Sequence, residues 1–157
     1  MTAQAASTSV RASVTVEAPI ARAFSVFTEG IGTWWPDSHQ REGVVAMGFD
    51  PRVGGRVYDR AADGSESRWG RVLTYDPPNR VVFSWDLDSR WQIETDLDRT
   101  SEVEVTFEAD GPSRTRVVLE HSKLDRHGEG WERYRDSVGA RDGWQGLLDA
   151  FAGTAAG

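Results

Sequence analysis

Ser101-Glu-Val-Glu-Val-Thr-Phe-Glu108 and Arg114-Thr-Arg-Val-Val-Leu-Glu-His121, joined by the turn residues Asp110-Gly111-Pro112, decide how the chain folds. Apolar and polar residues alternate along both runs, which is the period of a half-buried strand. Val103, Val105 and Phe107 share one face of the first run. Thr115, Val117, Leu119 and His121 share one face of the second. An apolar sheet face needs a cover, and the chain supplies one directly afterwards. After a charged loop, residues 130–152 read as helical, with Trp144, Leu147, Leu148 and Phe151 on one stripe. Gly139, Gly143 and Gly146 interrupt that helix, each weakening it by roughly 1 kcal/mol relative to alanine. The helix therefore either bends near Gly139 or approaches a neighbour closely there.

The same alternation extends upstream. Val10, Ala12, Val14 and Val16 oppose Arg11, Ser13, Thr15 and Glu17 in a first strand. Pro19 opens a helix whose apolar face is Ile20, Ala23, Phe24 and Phe27, and Gly30 stops it. Residues 32–35 add one short turn. Further strands are expected at 43–49, 56–60, 67–75 and 80–87, separated by Gly, Pro, Asn and Asp turn residues. The order is strand, one or two short helices, six antiparallel strands, long helix. The expected architecture is an α+β helix-grip arrangement, a curved seven-stranded sheet wrapped around a C-terminal helix. A gap left between the two layers is the natural ligand site. Residues 1–9 read as a disordered lead-in and 10–153 as one domain.

The formal net charge of −7 argues against a nucleic-acid partner, which requires a basic face. No apolar run approaches the roughly 20 residues of a membrane span. Cysteine is absent, which rules out disulfides, thiolate metal sites and a cysteine nucleophile, and fits a cytoplasmic location. The three histidines show no metal-ligand spacing, so neither a metal nor a cofactor is expected.

Seven tryptophans are unusual in 157 residues. Trp34 and Trp35 fall where the first helices meet the sheet. Trp85 lies with Val81 and Phe83 on the inward face of its strand, and Trp144 lies on the stripe of the terminal helix. These indoles are expected to surround one cavity, joined by Trp69. Trp91, in a polar loop, is either a lid or a lone exposed aromatic, and Trp131 has no assigned part.

Several segments together resemble a known family. They are Gly30-Ile31-Gly32-Thr33-Trp34-Trp35-Pro36, Val53-Gly54-Gly55-Arg56, Trp69-Gly70-Arg71-Val72, Pro77-Pro78-Asn79-Arg80-Val81-Val82-Phe83-Ser84-Trp85, Leu119-Glu120-His121 and Gly143-Trp144. In order and spacing they are similar to the bacterial homologues of the activator of the Hsp90 ATPase. That family belongs to the START-like superfamily of lipid-transfer proteins, polyketide cyclases and related binders. The resemblance implies a seven-stranded antiparallel sheet around a C-terminal helix, with a deep cavity between them. Eukaryotic activators carry a further N-terminal domain; the resemblance covers only their second domain.

The first functional reading is a module that binds a small apolar, aromatic or lipid-like molecule. Its candidate ligand-binding residues are Trp34, Trp35, His39, Tyr58, Trp69, Trp85, His121 and Trp144. His121 sits in an apolar wall and needs a hydrogen-bond partner, whether a ligand, Glu, Tyr or backbone. His127, among Asp125, Arg126 and Glu129, reads as a surface residue. The second reading is a cyclase- or hydrolase-like enzyme in the same cavity, with His121 or His39 as acid/base beside Asp37 or Glu120. The alternation points Glu120 away from the cavity. The third reading is a chaperone partner or stress-response protein. The oligomeric state is open, a homodimer included.

Overall fold

The computed structural model describes residues 7–36, 43–88 and 90–156. The elements follow the expected order. They are β1 (Val10–Val16), α1 (Ile20–Phe27), α2 (Ile31–Trp34), β2 (Val44–Phe49), β3 (Arg56–Ala61) and β4 (Glu66–Asp76). Then come β5 (Arg80–Trp85), β6 (Ser101–Ala109), β7 (Thr115–Ser122), α3 (Trp131–Val138) and α4 (Gly146–Ala156). The strands form one seven-stranded sheet in the order β1-β7-β6-β5-β4-β3-β2. Every neighbouring pair is antiparallel. This is the helix-grip fold.

The alternation sets the register. Val81 stands opposite Val105, Val105 opposite Leu119, and Leu119 opposite Ala12. A slip of one residue would turn this apolar row outward. The inward set of β7, Thr115, Val117, Leu119 and His121, is fully buried, as the alternation predicts. Curvature comes from register shifts in the β2–β3, β3–β4 and β4–β5 pairings, since an extra residue on one strand bends it. Strand β4 serves both halves of the bend: residues 66–71 pair with β3 and residues 72–76 with β5. Gly70 stands at the changeover, where a Cβ would lie 2.7 Å from the Ser84 carbonyl oxygen.

The helices fill the concave face. Phe24 and Phe27 of α1 meet Phe107 of the sheet, and Phe27 meets Phe151 of α4, at ring separations of 5.1–5.9 Å. Helix α1 ends at Phe27 rather than running to Gly30. The Thr28 hydroxyl donates to the Phe24 carbonyl and finishes the turn. Ser7 and Thr8 are tied down: the Ser7 carbonyl accepts from Arg135 and the Thr8 carbonyl from the Leu124 N–H. Among the described residues no helix is long and apolar enough to cross a membrane.

The expected long terminal helix is two helices. Between α3 and α4, Arg141–Gln145 form an irregular wide turn, in which Gly143 leaves the helical region at φ −83°, ψ −127°. Both sequence alternatives for Gly139 hold. The helix breaks there, and a Cβ on Gly139 would lie 2.9 Å from a Val10 methyl. At Gly143 a Cβ would lie 2.2 Å from the Val138 carbonyl oxygen. Helix α4 also continues past the expected boundary, to Ala156.

Two alanine substitutions should move stability in opposite directions. Gly143→Ala forces the break open and should cost on the order of 1–3 kcal/mol of backbone strain. Gly153, in α4 with no atom near its missing Cβ, should gain up to about 1 kcal/mol as alanine. At roughly 2–4 °C per kcal/mol for a chain of this size, thermal melts will separate the two variants on either side of the parent.

Candidate functional site

Five indoles pack together in the space between sheet and helices. Trp35 is central, with ring centroids 5.4 Å from Trp34, 5.2 Å from Trp69, 6.4 Å from Trp85 and 6.2 Å from Trp144. All five are buried. The Trp35–Trp144 contact is edge-to-face and the other three are tilted; well-oriented aromatic pairs contribute about 0.5–1.5 kcal/mol beyond simple burial. Much of the gap expected between the layers is thus filled by the indoles themselves. A pocket of about 170 Å³ remains at one end, where the break between α3 and α4 faces the loop after β5. Trp35, Trp85 and Trp144 form its floor, Leu87 and Trp91 one wall, and Val138 and Leu147 the other. Ser137, Asp142 and Gly143 complete the lining.

Beneath the floor runs a chain of buried polar groups. The Trp144 indole N–H donates to His121 Nδ1 at 3.0 Å. Nδ1 is therefore an acceptor, and the neutral ring carries its hydrogen on Nε2. Nε2 lies 2.7 Å from the Ser101 hydroxyl, which accepts that hydrogen and gives its own to His127 Nε2, also at 2.7 Å. His127 must then carry its hydrogen on Nδ1, a buried atom with no hydrogen-bond partner among the described residues. The His127 ring stacks on Tyr134 at 4.6 Å, and Trp91 stacks on Tyr134 at 5.3 Å. The Tyr134 hydroxyl accepts from the Trp85 indole and donates to the Leu87 carbonyl. Burial, with His127 close by, holds His121 neutral and lowers its pKa from 6.5 to about 3. Desolvation also lowers that of His127, against the pull of Glu94, Asp88 and Asp86.

The expected site residues divide into groups. Trp35, Trp85 and Trp144 line the pocket, and Trp69 supports Trp35 and Trp85 from behind. Trp34 is buried in a separate layer against Phe27 and Phe151, its N–H given to the Val26 carbonyl. His121 lies behind Trp144 with both nitrogens engaged inside the protein, and so does not reach the pocket. Tyr58 is on the other face of the sheet, under the Arg56 guanidinium at 4.3 Å. Arg56, Tyr58 and Arg60 alternate with the buried Val57 and Asp59, a pattern that already assigned Tyr58 outward. His39 and Asp37 lie outside the described residues. His127 is buried rather than on the surface, because its short turn, Leu124–His127, folds its ring onto α3.

Of the described lining residues only Trp35, Trp85 and Trp144 are among the expected ligand-binding set; the sequence leaves Trp91 as a lid or a lone exposed aromatic and gives Leu87 and Asp142 no part in the site. Trp91 has φ +61°, uncommon for a bulky residue. The Asp88 carboxylate imposes the turn by accepting the N–H groups of Arg90 and Gln92. The Asp88-x-Arg90 spacing is the only local signal, and it does not say where the indole points. Among the described residues no cluster of His, Asp or Glu is arranged to hold a metal ion.

The buried histidines give stability a pH dependence. A histidine whose folded pKa is depressed binds fewer protons folded than unfolded. Stability is therefore complete above about pH 6.5 and falls as pH drops toward the folded value. Unfolding free energy should decline from pH 7 toward pH 4 with a slope approaching about 1.4 kcal/mol per unit for His121 alone, His127 adding to it. Denaturant titrations at several pH values will show this decline, and His121→Leu will flatten it while lowering stability at pH 7.

Comparison with known proteins agrees with this architecture. No curated protein sequence matches the chain at a significant level. Among solved structures, an anthrahydroquino-γ-pyrone synthase, Txn09, is 41% identical over 92% of this chain and 95% of its own, with a TM-score of 0.67. CalC from Micromonospora echinospora, described as a self-sacrificing resistance protein, is 37% identical over 94% of this chain and 93% of its own, with a TM-score of 0.71. A protein from Nitrosomonas europaea, NE0264, is 14% identical with a TM-score of 0.68 over 98% of this chain and 97% of its own, a likeness of fold alone. The profile of the Activator of Hsp90 ATPase homolog 1-like protein family matches residues 17–156. With that match over most of its length and a helix-grip fold, the chain belongs to the Activator of Hsp90 ATPase homolog 1-like family.

Proposed function

We propose that the protein binds a small apolar aromatic molecule in the pocket bounded by Trp35, Trp85, Trp91 and Trp144. The observation that carries this reading is the convergence of four indoles on one pocket beside a break in the gripping helix. A dry cavity of roughly 150 Å³ suffices for benzene. The pocket of about 170 Å³ therefore takes a single ring in its present shape. A polycycle would continue past the half-exposed Trp91, where the same loop also exposes Ile93 and Leu97. The 41% identity to a synthase named for an anthrahydroquino-γ-pyrone supports a polycyclic aromatic ligand.

The same likeness favours a second reading, a cyclase-like enzyme acting in this pocket. His121 is a poor acid/base for it, being enclosed, neutral and fully hydrogen-bonded. Among the described lining residues Asp142 is the ionisable group, so it would take the proton in any base-catalysed step.

Titration with a graded series of polycyclic aromatics should quench or shift tryptophan emission and raise the melting temperature. Trp91→Ala should weaken binding about tenfold or more while leaving the fold intact, because Trp91 is half exposed and contributes little to the core. Emission and melting temperature unmoved across the series would refute the binding reading. Turnover of a bound compound that is lost in Asp142→Asn, with binding retained, would establish the enzyme.

A further inference from the structure

A second cleft adjoins the pocket proposed above as the ligand site. It measures about 210 Å³ and is lined by Trp91, Gly130, Arg133, Tyr134 and Ser137. Trp91 and Ser137 line the first pocket as well, so the two spaces meet at that pair of residues. Tyr134 is a fixed wall: His127 stacks on its ring at 4.6 Å, and its hydroxyl bonds to the Trp85 indole and the Leu87 carbonyl. Trp91, half exposed on its loop, is the partition between the two spaces. Gly130 has no atom within 4 Å of its missing Cβ, which leaves that end of the cleft open.

The two spaces differ in chemistry. On the floor of the first, Trp85 and Trp144 give their indole N–H groups to Tyr134 and His121, and so offer a ligand ring surface rather than those donors. The second is lined by two donor-bearing side chains, the guanidinium of Arg133 and the hydroxyl of Ser137. Both residues are exposed, and neither side chain is engaged in a hydrogen bond or ion pair among the described residues. Beyond Arg133 the surface turns acidic, where Glu129, Glu132 and Asp136 line the next groove with it. Asp136 is bridged to Arg135 at 3.1 Å. These carboxylates oppose a full negative charge brought to Arg133. A neutral oxygen acceptor meets the same donors without that opposition.

We infer that the site has two compartments and takes a two-ended ligand. An aromatic body lies on the indole floor, and a neutral carbonyl group passes between Trp91 and Ser137 into the second cleft, where its oxygen accepts from Arg133 and Ser137. This rests on the binding reading given above and adds the polar group that reading leaves open. The indole floor selects the body, and Arg133 and Ser137 select the group at its far end.

The test measures three compounds of one shape by calorimetry and tryptophan emission: benzylacetone, its methylidene isostere, in which a CH2 group replaces the carbonyl oxygen, and hydrocinnamate, which ends in a carboxylate. The double variant Arg133→Met, Ser137→Ala keeps the side-chain bulk of the cleft and removes its donors. It should weaken benzylacetone about tenfold and the alkene by less than about twofold. Hydrocinnamate should bind the parent protein more weakly than benzylacetone does. Equal losses for ketone and alkene, no loss for the ketone, tighter binding of hydrocinnamate than of benzylacetone, or binding of neither ketone nor alkene would each overturn the inference. The underlying reading fails separately: it falls if polycyclic aromatics also leave emission and melting temperature unmoved. If they bind while the double variant treats ketone and alkene alike, the first pocket stands and the second compartment is disproved.

Discussion

One buried hydrogen bond, from the Trp144 indole to His121 Nδ1, ties the C-terminal helical region to the sheet. Its consequences are directional. It makes Nδ1 an acceptor, which assigns the tautomer of His121, then the hydroxyl direction of Ser101, then the tautomer of His127. A buried polar atom left unpaired costs about 1–3 kcal/mol, so each link constrains the next. The same bond fixes the indole plane of Trp144, and that plane is part of the pocket floor. The stack of His127, Tyr134 and Trp91 leads from the far end of this chain to the opposite wall of the pocket. Both sides of the site are thus positioned by one buried network, although neither histidine touches the pocket.

The second constraint is steric. An unbroken helix over residues 131–156 would leave no room for the turn that carries Asp142 and Gly143 to the pocket edge. Val10 approaching Gly139, and the Val138 carbonyl approaching Gly143, require bare Cα positions at the break. The cost of glycine in a helix is accepted where the fold needs α3 and α4 to diverge. The pocket forms in that divergence, at the edge of a cluster of indoles that otherwise fills the gripped space. Packing against one another therefore accounts for most of the tryptophans, and ligand binding is proposed for those at the edge.

The sheet was readable because a period of two is a strong signal over runs as long as Ser101–Ala109 and Thr115–Ser122. The burial of His121 followed from the same alternation, as did that of Trp85. The three glycines marked the break in the terminal helix without showing that it creates the pocket. The remainder was set by tertiary contacts that leave little local trace. Trp91 owes its direction to a turn imposed by the Asp88 carboxylate. His127 lies in a single short turn, too brief for any period, and is buried because α3 folds over it. Tyr58 is a different case: its flanking arginines carried the correct outward signal, which its aromatic character outweighed.

Four of the seven tryptophans, Trp35, Trp85, Trp91 and Trp144, line one pocket, and the other three do not. Fluorine NMR of protein labelled with 5-fluorotryptophan, assigned by single substitutions, reads each indole separately. On addition of an aromatic ligand, the resonances of Trp35, Trp85, Trp91 and Trp144 should shift, Trp69 should move less, and Trp34 and Trp131 should stay. Shifts centred on Trp34 or Trp131, with Trp91 and Trp144 unmoved, would contradict the placement of the site.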